Sequence, residues 1–133
     1  MRIYLVDDDD LFNYLNEAVI RRVAPDALIS TYKSGEDVQQ AILGIREEDE
    51  VPDIMLLDIR MPDMDGFELL KVLGTMEKNP IARTRIYMLS SSLDERDLDK
   101  ANDNPLVTAF LSKPLTIEKF TEIYHLFNPP ISL

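Results

Sequence analysis

The chain has 133 residues, of which 45% are hydrophobic and 29% are charged. That length suits one globular domain with its own core, and the absence of cysteine excludes disulfides and thiolate metal sites. The formal net charge of −11 disfavours direct nucleic-acid binding and favours cationic partners, including metal ions. Apolar runs of about four residues are too short for membrane insertion, and no signal peptide is recognisable, so we expect a cytoplasmic protein.

The apolar pattern predicts five strands, each followed by a helix. The predicted strands cover residues 3–6, 27–32, 54–57, 85–89 and 107–111, and the predicted helices cover 11–23, 34–45, 66–79, 94–103 and 116–127. Residues 47–50 are expected to form a solvated acidic loop. Strands that alternate with helices through short connections indicate one α/β domain, with a parallel sheet and helices on both faces.

Helical spacing of apolar residues predicts which side of each helix is buried. The expected buried face of the first helix consists of Leu11, Leu15, Ala18, Val19 and Val23. That of the third helix consists of Phe67, Leu70, Leu73 and Met76. That of the last helix consists of Ile117, Phe120, Ile123, Tyr124 and Phe127. The fourth helix has few apolar anchors beyond Leu98 and Ala101. We therefore expect that helix to have low local stability.

The third strand is an unbroken apolar run that ends on Asp58. A run without alternation is typical of a strand buried on both faces of a parallel sheet. Pro62 prevents the strand from continuing, and Asp65 and Glu68 have the spacing of a capping box at a helix start. Asp58 is therefore expected at the carboxyl end of the central strand, where open α/β sheets bind ligands.

Polar residues follow four of the five predicted strands: Asp7 and Asp8, Asp58, Ser90, and Lys113. In a parallel sheet these strand ends lie along one edge, so the side chains can converge. Converging carboxylates repel one another unless a cation intervenes, and oxygen ligands without His or Cys favour Mg²⁺, with Mn²⁺ also possible. Asp58 can attack phosphorus, while Lys113 and Ser90 suit the oxygens of a transferring phosphoryl group.

The segment LLDIRMPDMDG, residues 56–66, resembles the phosphoacceptor segment of the receiver domains of two-component response regulators, the CheY-like family. The family also has an acid pair after strand one, a Ser or Thr after strand four and a Lys-Pro after strand five. Asp7-Asp8, Ser90 and Lys113-Pro114 match these features. The resemblance covers residues 2 to about 127 and implies a phosphorelay protein with an aspartyl phosphate at Asp58.

The resemblance implies a doubly wound, five-stranded, flavodoxin-like (β/α)5 fold with strand order 2-1-3-4-5. It assigns residues 1–127 to the receiver domain and residues 128–133 to a short tail. The short tail favours a single-domain response regulator over a fragment of a longer chain. The expected phosphoryl donor is a sensor histidine kinase or a histidine phosphotransfer protein, and the output is an unknown downstream protein. Such a protein catalyses its own phosphorylation and dephosphorylation and is not a conventional enzyme.

By the same resemblance, Asp8, Asp58 and the backbone carbonyl of Arg60 ligate Mg²⁺ directly, and Asp7 acts largely through water. Asp9 and Asp10 extend the acid pair, which leaves its register open by one residue; the pair that directly follows the apolar strand is favoured.

The resemblance also implies a switch. Ser90 and Lys113 bind the phosphoryl group, Phe110 is the aromatic switch residue, and the bond before Pro114 is cis. Arg60 and Ser92 line the mouth of the site, where they influence how long the phosphoryl group survives. The output surface implied is the fourth helix, fifth strand and fifth helix.

Other functions remain as alternatives at this stage. A phosphorylation-independent binding module would usually have lost an acid, the lysine or the acceptor, and all are present. Asp63-Met64-Asp65-Gly66 superficially matches the nucleophile loop of haloacid-dehalogenase-like phosphatases, although Asp63 does not directly follow an apolar strand. An EF-hand at residues 7–10 fails because its loop has no glycine at the sixth position. His125 is interpreted as a surface residue.

Overall fold

The computed structural model describes residues 1–92 and 94–130. Five parallel strands form one sheet in the order β2-β1-β3-β4-β5, which confirms the predicted fold class. The strands are β1 (Arg2–Val6), β2 (Leu28–Tyr32), β3 (Ile54–Asp58), β4 (Arg85–Ser90) and β5 (Val107–Ser112). The α-helices are α1 (Asp10–Val23), α2 (Gly35–Leu43), α3 (Gly66–Gly74), α4 (Glu95–Asp103) and α5 (Ile117–Phe127).

The sheet has an apolar core on each face. One core packs against α2, α3 and α4 through residues such as Val38, Leu69 and Ala101. The other packs against α1 and α5 through Ile20 and Phe120. All five residues of β3 are buried, as expected for a central strand covered on both sides, and this places Asp58 at the sheet edge between two helical layers.

The predicted capping box is present at the start of α3. The Asp65 side chain accepts a hydrogen bond from the Glu68 amide, and Glu68 reaches back to the Asp65 amide, so α3 begins with a capping box. Ser34 caps α2, and Thr116 caps α5 by accepting from the Lys119 amide. Short polar side chains therefore set where these helices start.

The predicted buried face of α1 is wrong in its first half. Leu11 and Leu15 are 60% and 42% exposed, Ala18 is exposed, and the buried residues are Asn13, Asn16 and Ile20. The Asn13 side-chain amide donates to the Asp7 carbonyl oxygen at 2.9 Å, which turns this asparagine toward the sheet. A side-chain hydrogen bond to the end of β1 thus outweighs the apolar pattern in setting the rotation of α1.

Two other predicted details are wrong. Helix α3 ends at Gly74, before the predicted stop near residue 79. Residues 47–50 are exposed, as predicted, and Glu48–Glu50 form a 3₁₀ turn. Leu98 and Ile117 are 40% and 41% exposed, although both were assigned to buried faces. His125 is exposed, as predicted.

The predicted tail, residues 128–133, extends beyond α5, and residues 131–133 lie outside the described part of the chain. Within the part that is described, no helix combines the length and apolar character needed to cross a membrane.

Candidate functional site

Three carboxylates meet at the edge of the sheet where β1 and β3 end. Asp7 and Asp8 follow β1, Asp58 is the last residue of β3, and one oxygen of each lies within 4.8 Å of the others. Asp7 and Asp58 are buried, while Asp8 is exposed. The structure therefore brings together the acids that the sequence placed at separate strand ends.

Lys113 joins two of these acids from the end of β5. Its Nζ lies 2.7 Å from Asp7 Oδ2 and 3.1 Å from Asp58 Oδ1, and its side chain is 8% exposed. Its backbone amide donates to the Ser90 carbonyl oxygen at 2.8 Å, and the Lys113–Pro114 bond is cis, the isomer expected from the resemblance. One buried cation thus partly balances two buried anions.

The site perturbs the protonation of its own residues. Burial raises the pKa of Asp58 from 3.8 to about 6; the charge of Asp7 acts in the same direction, and Lys113 opposes it. Burial alone would lower the pKa of Lys113, but the hydrogen bond to Asp7 and the charges of Asp58 and Asp7 raise it overall. At neutral pH Asp58 is therefore mostly ionised, and Lys113 only partly offsets the cost of burying its negative charge.

The other two aspartates after β1 have local structural roles. Asp9 donates its amide to Asp7 Oδ1 at 2.9 Å and caps α1 by accepting from the Leu11 amide. Asp10 pairs with the exposed Lys33 at 2.8 Å. Asp9 and Asp10 thus make other contacts, while Asp7 and Asp8 lie in the acid cluster with Asp58.

Gly66 allows α3 to start against the end of β3. A Cβ atom on Gly66 would lie only 2.6 Å from the Asp58 carbonyl oxygen, which is backbone and has little freedom to move. The Gly66 amide donates to the Ile59 carbonyl oxygen at 2.9 Å and closes the loop between them. Asp63, the nucleophile in the phosphatase alternative, is exposed in this loop and lies outside the acid cluster, so that alternative gains no support.

Ser90 ends β4, and its hydroxyl is bound within its own loop. The hydroxyl donates to the Ser92 carbonyl oxygen at 2.9 Å and accepts from the Ser92 amide at 3.1 Å. Phe110, on β5, is partly buried and packs against the core formed with α2, α3 and α4. Both predicted switch residues therefore lie near the strand ends, and the Ser90 hydroxyl is bound to the Ser92 backbone.

Arg60 makes a contact that the sequence did not predict. Its guanidinium group pairs with the carboxylate of Asp97 on α4, a residue only 3% exposed. Asp97 and the buried Ala101 are four residues apart and therefore share one helix face, which was the available signal that this acid points inward. The ion pair links the loop after Asp58 directly to the fourth helix.

The sequence matches the response regulator receiver domain family over residues 3–125. The chain belongs to this family.

Individual relatives agree with that assignment. The receiver domain is 31% identical to the two-component response regulator ARR22 of Arabidopsis thaliana, over 96% of this chain and 84% of that protein. It is 36% identical to the DNA-binding transcriptional regulator NtrC of Proteus hauseri over 69% of this chain, but over only 18% of that longer protein.

Solved structures show the same fold. A response regulator receiver protein from Dyadobacter fermentans has a TM-score of 0.82 at 27% identity, covering 98% of this chain and 99% of that one. A two-component response regulator from Cytophaga hutchinsonii has a TM-score of 0.79 at 30% identity, covering 97% of each.

The acids of this receiver domain fit a divalent cation. Both oxygens of Asp7 are engaged, by Lys113 and by the Asp9 amide, whereas Asp8 is exposed at the same cluster. Carboxylate oxygens with room for water are the donors Mg²⁺ prefers. Asp7, Asp8 and Asp58 are therefore the residues that could hold such a cation.

We expect Asp8→Ala to weaken Mg²⁺ binding at least tenfold, because it removes the most accessible carboxylate. Wild-type affinity should also fall as pH drops through about 6, where Asp58 takes up a proton. Isothermal titration with Mg²⁺ or Mn²⁺ measures both effects. Asp63→Ala, in the neighbouring loop, is the matched control and should bind as the wild type does; equal affinity in the Asp8 variant would contradict the assignment.

Proposed function

We propose that Asp58 accepts a phosphoryl group from a phosphohistidine of a sensor histidine kinase or a histidine phosphotransfer protein, in a Mg²⁺-dependent reaction. The observation that supports this most strongly is the grouping of a buried carboxylate, a lysine held 3.1 Å from it and a neighbouring acid pair. Membership of the response regulator receiver domain family supports the same proposal.

In the proposed step, an oxygen of ionised Asp58 attacks phosphorus. The new O–P bond forms as the P–N bond to the donor histidine breaks, and that imidazole leaves with the bonding pair. Because the pKa of Asp58 is about 6, most of the acceptor is in its nucleophilic form at neutral pH. Mg²⁺, when bound by Asp8, Asp58 and the Arg60 carbonyl oxygen, supplies charge neutralisation for the phosphoryl oxygens.

Lys113 and Ser90 are the chain's own groups for the phosphoryl oxygens. Lys113 already lies beside Asp58 and needs only a small reorientation. Ser90 must release Ser92 before its hydroxyl can donate to a phosphoryl oxygen, so engagement of Ser90 changes the loop that leads into α4. A phosphoryl group can shift the equilibrium between the two loop arrangements only through such differential contacts.

The proposed output surface is α4, β5 and α5, recognised by a downstream protein partner. Two features support it: Ser90 ends β4, the element before α4 in the chain, and Arg60 pairs with Asp97 within α4. Phe110 lies on β5 and packs against the same core as Ala101 of α4. These features support the proposal that a change at Asp58 is transmitted to this surface.

Phosphorylation tests the proposal directly. The wild type, Asp58→Asn and Asp63→Asn are incubated with a small phosphodonor and Mg²⁺, and the intact proteins are weighed by mass spectrometry. We expect one phosphoryl group on the wild type and on Asp63→Asn, removed by hydroxylamine and prevented by a chelator, and none on Asp58→Asn. Equal labelling of Asp58→Asn would place the nucleophile elsewhere, and an unlabelled wild type would favour a phosphorylation-independent binding module.

A further inference from the structure

The aromatic ring of Phe12 lies over the ammonium group of Lys113, with 4.2 Å between Nζ and the ring centroid. The same nitrogen contacts one oxygen each of Asp7 and Asp58. An ammonium group has three N–H donors and no acceptor, and this side chain is only 8% exposed. Two carboxylates and one ring face therefore surround the charge, and the ring occupies space that water would otherwise fill.

The position of Phe12 is fixed by its neighbours along α1. Leu11 donates its amide to the Asp9 cap at 2.9 Å, and Asn13 donates its side-chain amide to the Asp7 carbonyl oxygen at 2.9 Å. Asn13 is buried, so this second contact is shielded from solvent. The turn that contains Phe12 is thus attached to the end of β1, from which Asp7 extends. This attachment holds the ring beside Lys113.

We propose, on the basis of the phosphoryl transfer proposed above, that Phe12 is a positioning residue that holds Lys113 between Asp7 and Asp58 through a cation–π contact. During transfer the negative charge on Asp58 moves outward to the phosphoryl oxygens, and Lys113 has to follow it. A ring face attracts a cation without fixing the direction of its N–H groups. Phe12 therefore lets Lys113 turn toward the phosphoryl group while water stays excluded.

A ring that acted only as apolar packing would be replaced without loss by another apolar side chain of similar size. Phe12→Leu keeps apolar bulk but removes the ring, and Phe12→Tyr keeps a ring face. We expect labelling by a small phosphodonor to be about tenfold slower in Phe12→Leu and close to wild type in Phe12→Tyr. Tyr14→Leu, which removes a ring that is 70% exposed on the same helix, is the matched control and should not change the rate.

Fluorinated phenylalanines at position 12 separate electrostatics from shape, because each added fluorine weakens the negative ring face with little change in size. The phosphorylation rate should fall stepwise with fluorine number. A flat series, or a folded Phe12→Leu protein that is labelled at the wild-type rate, would overturn the positioning role.

A second readout does not depend on phosphorylation. The ε-methylene protons of Lys113 should be shifted upfield by the ring in the wild type and in Phe12→Tyr, and should lose that shift in Phe12→Leu. An unlabelled wild type that retains the shift would refute the proposed function while leaving the Phe12–Lys113 contact intact. An unchanged Lys113 shift in Phe12→Leu would refute the contact itself.

Discussion

Asp58→Asn should raise the free energy of unfolding at pH 7 by about 1–3 kcal/mol, because it removes a charge that is costly to bury. The folded-state pKa of Asp58 is about 6, against an ordinary value of 3.8. That difference corresponds to at most about 3 kcal/mol, and the weaker attraction between Lys113 and a neutral amide reduces the gain. The Asp58 carboxylate is thus expected to lower the stability of the folded protein at neutral pH.

The pH dependence gives this prediction a definite sign. The pKa of Asp58 is raised on folding, so its protonated form contributes to stability. That contribution is fully present below about pH 4 and is lost as the pH rises through about 6. In Asp58→Asn this decline should be missing from urea unfolding curves recorded between these pH values. Asp63→Asn changes an exposed carboxylate in the next loop and should retain the decline. A variant less stable than the wild type at pH 7 would contradict the inferred cost of burial.

Lys113→Met should have the opposite effect and lower the free energy of unfolding by about 3 kcal/mol. Methionine keeps much of the apolar length of lysine, but Asp7 and Asp58 lose the cation that lies 2.7 Å and 3.1 Å from them. Urea unfolding with and without Mg²⁺ measures the loss. Mg²⁺ should restore more stability to this variant than to the wild type, because the metal becomes the main cation near both acids.

Two comparisons isolate the role of this lysine. Lys33→Met removes an exposed lysine that pairs with exposed Asp10, and it should change stability by less than about 0.5 kcal/mol. Adding Asp58→Asn to Lys113→Met should recover part of the loss, since one of the two unbalanced charges is then gone. A Lys113→Met protein as stable as the wild type would show that the buried acids do not need this cation.

The sheet and the acid site could be predicted because four of the five strands are short, largely apolar runs that end in or are followed by a chemically distinct residue. Asp7, Asp58, Ser90 and Lys113 each mark the point where a run stops, and a parallel sheet brings such points to one edge. The capping box of Asp65 and Glu68 could also be predicted, because its two partners are only three residues apart in the sequence. These signals require no knowledge of distant contacts.

The errors arose where a distant partner decides the outcome. Periodicity placed Leu11 and Leu15 in the core, but the hydrogen bond from Asn13 to the end of β1 rotates them outward. The apolar pattern of α4 suggested Leu98, whereas the ion pair with Arg60 turns Asp97 inward instead. The Phe12 ring over Lys113 joins residues about a hundred positions apart, which no spacing rule reveals.

Amide chemical shifts with and without a beryllofluoride mimic of the phosphoryl group test the central claim most directly, because they report on the proposed acceptor Asp58 and the proposed output surface together. In the wild type with Mg²⁺, we expect changes in the loop after Asp58, at Ser90, and in α4, β5 and α5; Asp58→Asn should show none of them. Changes confined to residues 58–66, with residues 94–124 silent, would contradict coupling to that surface. Identical changes in Asp58→Asn would contradict Asp58 as the acceptor.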